Sequence, residues 1–416
     1  MSVPNFWTAA RFWARLGFIS FGGPAGQIAI MHREVVDRRQ WIDERTFTGA
    51  LNFCMLLPGP EALQLAIYLG WKLHGVRGGL VAGLGFIVPS VLLLFALSMV
   101  YVWYGQLPWL EGVLFGLKAA VIALVVQALV RIGRRALAGP LHVALAVGAF
   151  VALEFFGVPF PLVLLVAAVA GALTPLRGAG AARPLTPTRH DDTRGYTLRV
   201  AATGLALWIA PWLWLVPTLG LDSLWSQVYL FFTKAALVTF GGAYAVLSYV
   251  TTHLVEHLGW VTAEQAVAGL ALAETTPGPL VIVLQFNGFV SGWNFPGDFT
   301  PLVSALLAGS LAAWATFLPS FVFIFLGAPH VERLTHVPRV ASALAAITAA
   351  VVGVIASLAV LLAQVILFPD GWLAWPDWRA AALCVGAWFA LERLHWSLPA
   401  VLVLAGALGL LLRWLA

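Results

Sequence analysis

The sequence predicts an all-α polytopic membrane protein made of two inverted-topology repeats with broken, re-entrant half-helix hairpins. Three observations carry that prediction. Hydrophobic residues make up 61% of the chain and charged residues 10%, and apolar runs such as Val81–Tyr101 and Val340–Leu362 have the ~20 residues that a hydrocarbon core demands. Breaker motifs recur at one spacing: Phe21-Gly22-Gly23, Trp41 and Leu57-Pro58-Gly59-Pro60 return as Phe240-Gly241-Gly242, Trp260 and Thr276-Pro277-Gly278-Pro279, with 241 − 22, 260 − 41 and 278 − 59 all equal to 219. The same offset pairs Arg15 with Lys234 and Asp37 with Glu256, whereas Val88-Pro89-Ser90 and Leu318-Pro319-Ser320 are offset by 230, so the second copy carries a short insertion. Finally, the Lys and Arg residues that mark cytoplasmic loops reverse between the copies. The loop 32–45 holds Arg33, Arg38, Arg39 and Arg45, and 71–77 holds Lys72 and Arg77, while 251–264 and 291–296 hold none. Conversely, 104–110 has none where its partner carries Arg333 and Arg339, and Arg131, Arg134 and Arg135 face a bare 368–378.

In chain order, 5–21 is an apolar segment carrying Arg11 and Arg15, interrupted at Gly22-Gly23-Pro24, and 25–45 continues as a more polar stretch. The segment 46–71 is broken by Pro58-Gly59-Pro60 into limbs of about eleven residues, each roughly half a bilayer core at ~1.5 Å per residue. Full-length runs follow at 77–104, 111–131, 140–156 and 159–175. The polar stretch 176–199, with Arg177, Arg183, Arg189, Arg194 and Arg199 among Gly, Pro and Thr, reads as an inter-repeat loop. An isolated run at 200–218 supplies the odd crossing that inverts the second copy, whose runs fall at 300–327, 338–367, 378–392 and 397–414. The chain thus divides into an N-terminal repeat (1–175), a cytoplasmic linker with a topology-flipping transmembrane helix (176–222) and an inverted C-terminal repeat (223–416). With 32–45 and 71–77 both cytoplasmic, 5–31 and 46–71 must enter and return, and the N-terminus and the 176–199 loop are cytoplasmic. Full crossing of both segments is the alternative, and it puts the four-Arg loop outside.

The net charge of +5 belongs to short loops between apolar runs and sets topology, so no nucleic-acid partner is expected. Cys54 and Cys384 lie in apolar segments without CxxC spacing, His32, His74, His253 and His257 have no ligand spacing, and neither a metal nor a cofactor is implied. The N-terminus lacks the pattern of a cleaved signal peptide.

Chemistry concentrates at the breaks. Backbone freed at membrane depth must be buried in protein or line a wet cavity. Pro24 and Pro60 directly follow their glycines, so the second limbs start at the breaks and aim free N–H groups and positive dipole ends inward. Gly22, Gly23, Gly59, Gly241, Gly242 and Gly278 therefore mark four half-helix N-termini that could converge on an anion, in the manner of transporters with inverted repeats. Arg15 and Lys234, equivalent cations ahead of the FGG breaks, are candidate anion ligands, with snorkelling to the interface as the alternative. Glu61 and Glu274 either cap local amides or carry a coupled proton. Gln64, Gln285 and Asn287 are candidate polar neighbours of the same cavity.

These motifs resemble a known family. Phe21-Gly22-Gly23-Pro24, Arg38-Arg39-x-Trp41 and Leu57-Pro58-Gly59-Pro60 look like the first repeat of the chromate ion transporter family, and Phe240-Gly241-Gly242, Thr276-Pro277-Gly278-Pro279 and Phe317-Leu318-Pro319-Ser320 like its second. The resemblance implies a multi-pass protein of the bacterial inner membrane that exports chromate and confers resistance, with proton coupling and a relation to sulfate suggested. This chain departs from the family pattern at Met55, Glu61 and Glu274-Thr275, which bears on coupling and substrate choice. The expected function is a secondary active transporter, an antiporter if proton-coupled, exporting chromate by alternating access. A carrier of sulfate or another oxyanion is the alternative within transport, and an anion channel or membrane-embedded enzyme the alternative outside it. No metal-ligand cluster, nucleophile elbow or phosphate loop argues for an enzyme. The expected partners are a chromate- or sulfate-like oxyanion and the lipid bilayer, with a homodimer open.

Overall fold

The computed structural model describes residues 4–174, 193–240, 243–330 and 338–414. Among them are sixteen α-helices and no strand. The first repeat comprises α1 (Phe6–Ile19), α2 (Gly23–His32, prolonged by a π turn over Arg33–Arg38), α3 (Glu44–Cys54), α4 (Glu61–Tyr104), α5 (Pro108–Ala136), α6 (Pro140–Phe156) and α7 (Phe160–Leu173). After α8 (Thr193–Leu219) the plan repeats as α9 (Leu224–Leu237), α10 (Ala243–Thr252, prolonged by a π turn over His253–His257), α11 (Ala263–Glu274), α12 (Val283–Asn294), α13 (Pro301–Gly327), α14 (Pro338–Leu367), α15 (Trp378–Glu392) and α16 (Leu398–Trp414). Glu61–Tyr104, Pro108–Ala136, Gly195–Leu219, Pro301–His330 and Ala341–Leu367 are long and apolar enough to cross a membrane.

Both broken segments of the first repeat double back. Trp41, beyond α2, packs on Phe12 of α1 at 5.4 Å, and Arg39 lies over both rings at 5.1 and 5.0 Å. His74, at the far end of the next broken segment, meets the Pro4 carbonyl at 2.8 Å. Residues 4, 39–43 and 74 therefore share one face of the molecule. Inside α4 the helix is interrupted at His74 (φ −139°) and Gly75 (φ +62°), and the chain reverses there. Gly70 packs on Gly78 and Ala82 across that reversal, small residues letting the two limbs close up. The second limb runs to the opposite face, Phe95 packing on Phe289 at 6.0 Å and Tyr101 on Phe286 at 5.3 Å.

The second repeat reproduces this from that opposite face. Phe231 meets Trp260, equivalents of Phe12 and Trp41, with ring centroids 6.5 Å apart, and Asn294 at the end of α12 donates to the Trp260 carbonyl at 3.0 Å. α13 returns to the first face, where Phe325 packs beside Gly79. The insertion that changes the offset from 219 to 230 lies where a His74-Gly75 turn in the first copy becomes a longer link between α12 and α13 in the second. The hairpins are thus re-entrant, and the repeats are inverted.

The repeats also exchange their last helices: α6 and α7 pack on α14, while α15 and α16 pack on α5. Gly116 sits against Ala405 and Gly409, and Gly171 against Ser342 and Ala346, so each contact is a small-residue seam. The runs expected as full-length at 140–156 and 159–175 are helices of 17 and 14 residues, or about 25 and 21 Å at the α-helical rise, short of a ~30 Å core. α8 has no counterpart in the first repeat and lies outside, its Leu207 and Trp208 carbonyls accepting from Trp314 (3.2 Å) and Tyr229 (2.6 Å).

Helix starts are capped in pairs too. Asp43 and Thr262, 219 residues apart, cap α3 and α11. The Asp43 carboxylate accepts from the Thr46 N–H at 2.7 Å and the Thr46 hydroxyl at 2.9 Å. Partial burial pushes its carboxyl up, but these hydrogen bonds outweigh that and hold it below the usual value. A depressed folded value stabilises the fold above the unfolded value, near ~3.9, and that stabilisation is lost as pH falls through the folded value. Asp43→Ala is therefore expected to cost about 1 kcal/mol at neutral pH. The deficit, read from thermal melts in detergent, should shrink as the pH is taken below about 4. A pH-independent deficit would contradict the charged cap.

Candidate functional site

The candidate site is built from two junctions, each joining a Pro-Gly-Pro loop of one repeat to the other repeat. Gly59 donates its N–H to the Thr239 carbonyl at 2.8 Å, and Gly278 donates to the Ser20 carbonyl at 2.8 Å. Both 239 − 20 and 278 − 59 equal 219, so the two bonds are symmetry equivalents. Each ties the Pro-Gly-Pro loop of one repeat to the residue just ahead of the FGG break of the other. Gly241 and Gly242 lie outside the described residues.

Glycine is required here by conformation. Gly22 and Gly23 have φ of +93° and +66°, and Gly59 and Gly278 +126° and +110°, values that side-chain-bearing residues rarely adopt. The space around them differs. A Cβ on Gly23 would meet nothing within 4 Å, whereas one on Gly59 would lie 2.8 Å from the Ser320 hydroxyl and 2.7 Å from the Gln64 amide nitrogen. One on Gly278 would collide with Ser90. α2 and α4 begin directly beyond their breaks, with Gly22 and Pro60 as N-caps. In the second repeat a 3-10 turn, Leu280–Ile282, precedes α12.

The remaining sequence candidates fall into separate places. Gln64 is fully buried and donates to the Pro58 carbonyl at 2.7 Å, bracing the first loop. Gln285 is buried and donates to the Val91 carbonyl at 3.2 Å, and Asn287, also buried, has both side-chain polar atoms unpartnered. Glu61 opens α4 half-buried, while Glu274 closes α11 buried, accepting from the Tyr244 hydroxyl at 2.8 Å. The Arg131 guanidinium lies close enough to act electrostatically on Glu274 and Tyr244. Arg15 and Lys234 occupy the exposed stripes of α1 and α9, among exposed Phe18, Leu230 and Leu237 rather than among the buried groups at the loops.

Sequence reasoning missed several of these groups. Gln27, 1% exposed, donates through Nε2 to the Ser20 carbonyl at 3.2 Å and also to the Gly278 carbonyl, stapling the second junction. Tyr244 and Arg131, the neighbours of Glu274, come from α10 and from the other repeat's α5, and only the packing of α5 along α11 joins them. Ser90 and Ser320 served in the sequence as markers of repeat register, and Ser320 as part of a family motif, never as site candidates.

Comparison with known proteins gives a consistent result. The chromate transporter family matches residues 7–172 and 226–410, one segment in each repeat. A chromate transport protein of Pseudomonas aeruginosa is 34% identical over 377 residues, 88% of this chain and 82% of that one. A probable chromate transport protein of Synechococcus elongatus is 30% identical over 358 residues, 85% of this chain and 84% of that one. A chromate transport protein of Cupriavidus metallidurans is 30% identical over 355 residues, 85% and 81% of the two chains. No solved structure matches. Two matched repeats, five helices of membrane-spanning length among the described residues and breaks paired across the repeats make this a multi-pass membrane protein that belongs to the chromate transporter family.

Proposed function

We propose that the chain is a secondary active transporter that exports chromate, a tetrahedral dianion, by alternating access, with one central site between the repeats 1–175 and 223–416. The observation that carries this reading is the reciprocal junction of Gly59 with Thr239 and Gly278 with Ser20. Half-helices enter from both faces and end at these junctions, so any relative motion of the repeats opens the junctions to one face or the other. Glu61 or Glu274 handles a coupled proton. On this reading the protein sits in the bacterial inner membrane, and the positive-inside bias of Arg33, Arg38, Arg39, Arg45 and Lys72 supports a cytoplasmic N-terminus and a cytoplasmic 176–199 loop.

The test is chromate flux into proteoliposomes of the purified protein, with and without a pH gradient and with excess sulfate. Concentrative flux that follows the gradient and resists sulfate supports a proton-coupled chromate transporter. Flux abolished by sulfate makes the protein a general oxyanion carrier, and flux that no gradient can drive uphill makes it a channel. No flux of either anion ends the substrate assignment.

Arg15 gives a second check, because its exposed stripe is either a wet vestibule to the site or a lipid-facing surface. If it attracts the anion, Arg15→Ala lowers flux at least ~10-fold at unchanged yield and melting temperature. Normal flux in that variant would remove Arg15 from the transport path and leave it snorkelling.

A further inference from the structure

We propose that Ser90 and Ser320 are the hydroxyl donors that bind the transported oxyanion, one on the crossing helix of each repeat. This rests on the anion-transport reading above and assigns its ligands.

Serine and threonine in apolar helices ordinarily return their hydroxyl to the carbonyl four residues earlier. Ser98, Ser291 and Thr316 do so here, at 2.6, 2.7 and 2.7 Å. Ser90 and Ser320, each next to a helix-interior proline, do not. Both are 0% exposed and both hydroxyls lack a hydrogen-bond partner. A buried hydroxyl left unpaired is unfavourable, and two left unpaired at equivalent positions ask for a common cause.

What they face is the same on both sides. Ser320 comes from α13 of the second repeat and points at Gly59 of the first, and Ser90 from α4 of the first points at Gly278 of the second. Each hydroxyl thus reaches the Pro-Gly-Pro loop whose N–H is already engaged by the opposite repeat. Gln64 and Gln27 brace the two loops, their amide nitrogens donating to the carbonyls of Pro58 and of Ser20 and Gly278. The positions are polar and dry, and that of Ser320 is close to the first turn of α4, whose N-terminus favours negative charge. A hydroxyl that donates to an ionised oxygen makes a charge-assisted bond, stronger than the neutral bond it forgoes. Full burial also fixes when binding can occur. The anion reaches these hydroxyls only when a crossing helix and the facing loop part, which is the motion alternating access requires.

The competing explanation is that serine is merely small enough to let the loops approach. Alanine is equally small, so Ser90→Ala, Ser320→Ala and the double variant separate the two. Melting of the detergent-purified protein is followed against rising chromate and, separately, sulfate. The expected result is a melting temperature without anion that is unchanged or raised in all variants. Each single variant should need about 10-fold more chromate for the wild-type shift, and the double variant about 100-fold. Variants with wild-type anion dependence overturn the assignment and leave the serines as spacers. A wild-type protein that responds to neither anion overturns the anion reading itself, and this one with it.

Discussion

Gly278→Ala and Gly59→Ala are expected to abolish transport and to lower the melting temperature more than any other single alanine at the breaks. Two penalties add at each position. The φ of +110° at Gly278 and +126° at Gly59 strains any residue with a Cβ, at a cost of about 1–3 kcal/mol. The new methyl then collides with Ser90, or sits 2.8 Å from the Ser320 hydroxyl, and overpacking of this kind costs a further ~1–3 kcal/mol. The sum is a large share of the ~5–15 kcal/mol that holds a folded domain together. Relief of strain would push the loop off its partner, so the N–H bond to Ser20 or Thr239 should fail with it. Gly148 is the control: it lies within α6, its φ is helical and open space surrounds it, so Gly148→Ala should be neutral or slightly stabilising. Adding Ser90→Gly to Gly278→Ala removes the collision but not the strain and should restore only part of the melting temperature. A Gly278→Ala protein that melts and transports like wild type would show that the junction is not structurally required.

The same glycines mark the boundary between what the sequence reveals and what only the fold does. α14 and α15 fall on the expected runs at 338–367 and 378–392, because a long apolar stretch begun by proline or capped by aspartate is a local signal. Re-entry of 46–71 was favoured by the sequence, since four arginines on one loop and Lys72 with Arg77 on the next point to one side, with full crossing as the alternative. What stayed hidden is lateral: which face of a half-helix looks inward and which loop it meets. Arg15 and Lys234 share a register position, and register says nothing about exposure. The helical spacing of Arg11, Arg15 and Phe18, opposite Phe12 and Leu16, carries that information and places the cation on the outer stripe. The Ser90 and Ser320 contacts carry no such local trace. They join segments 188 and 261 residues apart (278 − 90 and 320 − 59), and only the offset of 230 hints that the two serines are equivalent.

Glu274 and Glu61 are alike in the sequence and unlike in the structure, and that difference predicts which of them couples transport to protons. Glu61 sits in the first turn of α4, where the helix dipole favours negative charge, and no side-chain hydrogen bond caps that end. Glu274 sits at the carboxyl end of α11, buried, with one donor at 2.8 Å from Tyr244 and the Arg131 charge nearby. On the proposed anion-transport reading, the arriving dianion disturbs the two groups that balance this carboxylate, since Gly278 lies only four residues on. Proton uptake at Glu274 and anion occupancy of the site are on that reading linked through one local charge balance. Glu274→Gln keeps the size and polarity of the side chain and removes the exchangeable charge. It should retain chromate exchange at equal pH within about 3-fold while losing ~10-fold or more of the flux driven by a pH gradient. Tyr244→Phe should shift the pH at which flux is half-maximal without eliminating the response, because it withdraws a hydrogen bond and leaves the carboxyl in place. Glu61→Gln should leave gradient-driven flux largely intact. Gradient-driven accumulation that survives Glu274→Gln and vanishes in Glu61→Gln would move the proton site to α4, and survival in both would place it outside these carboxylates.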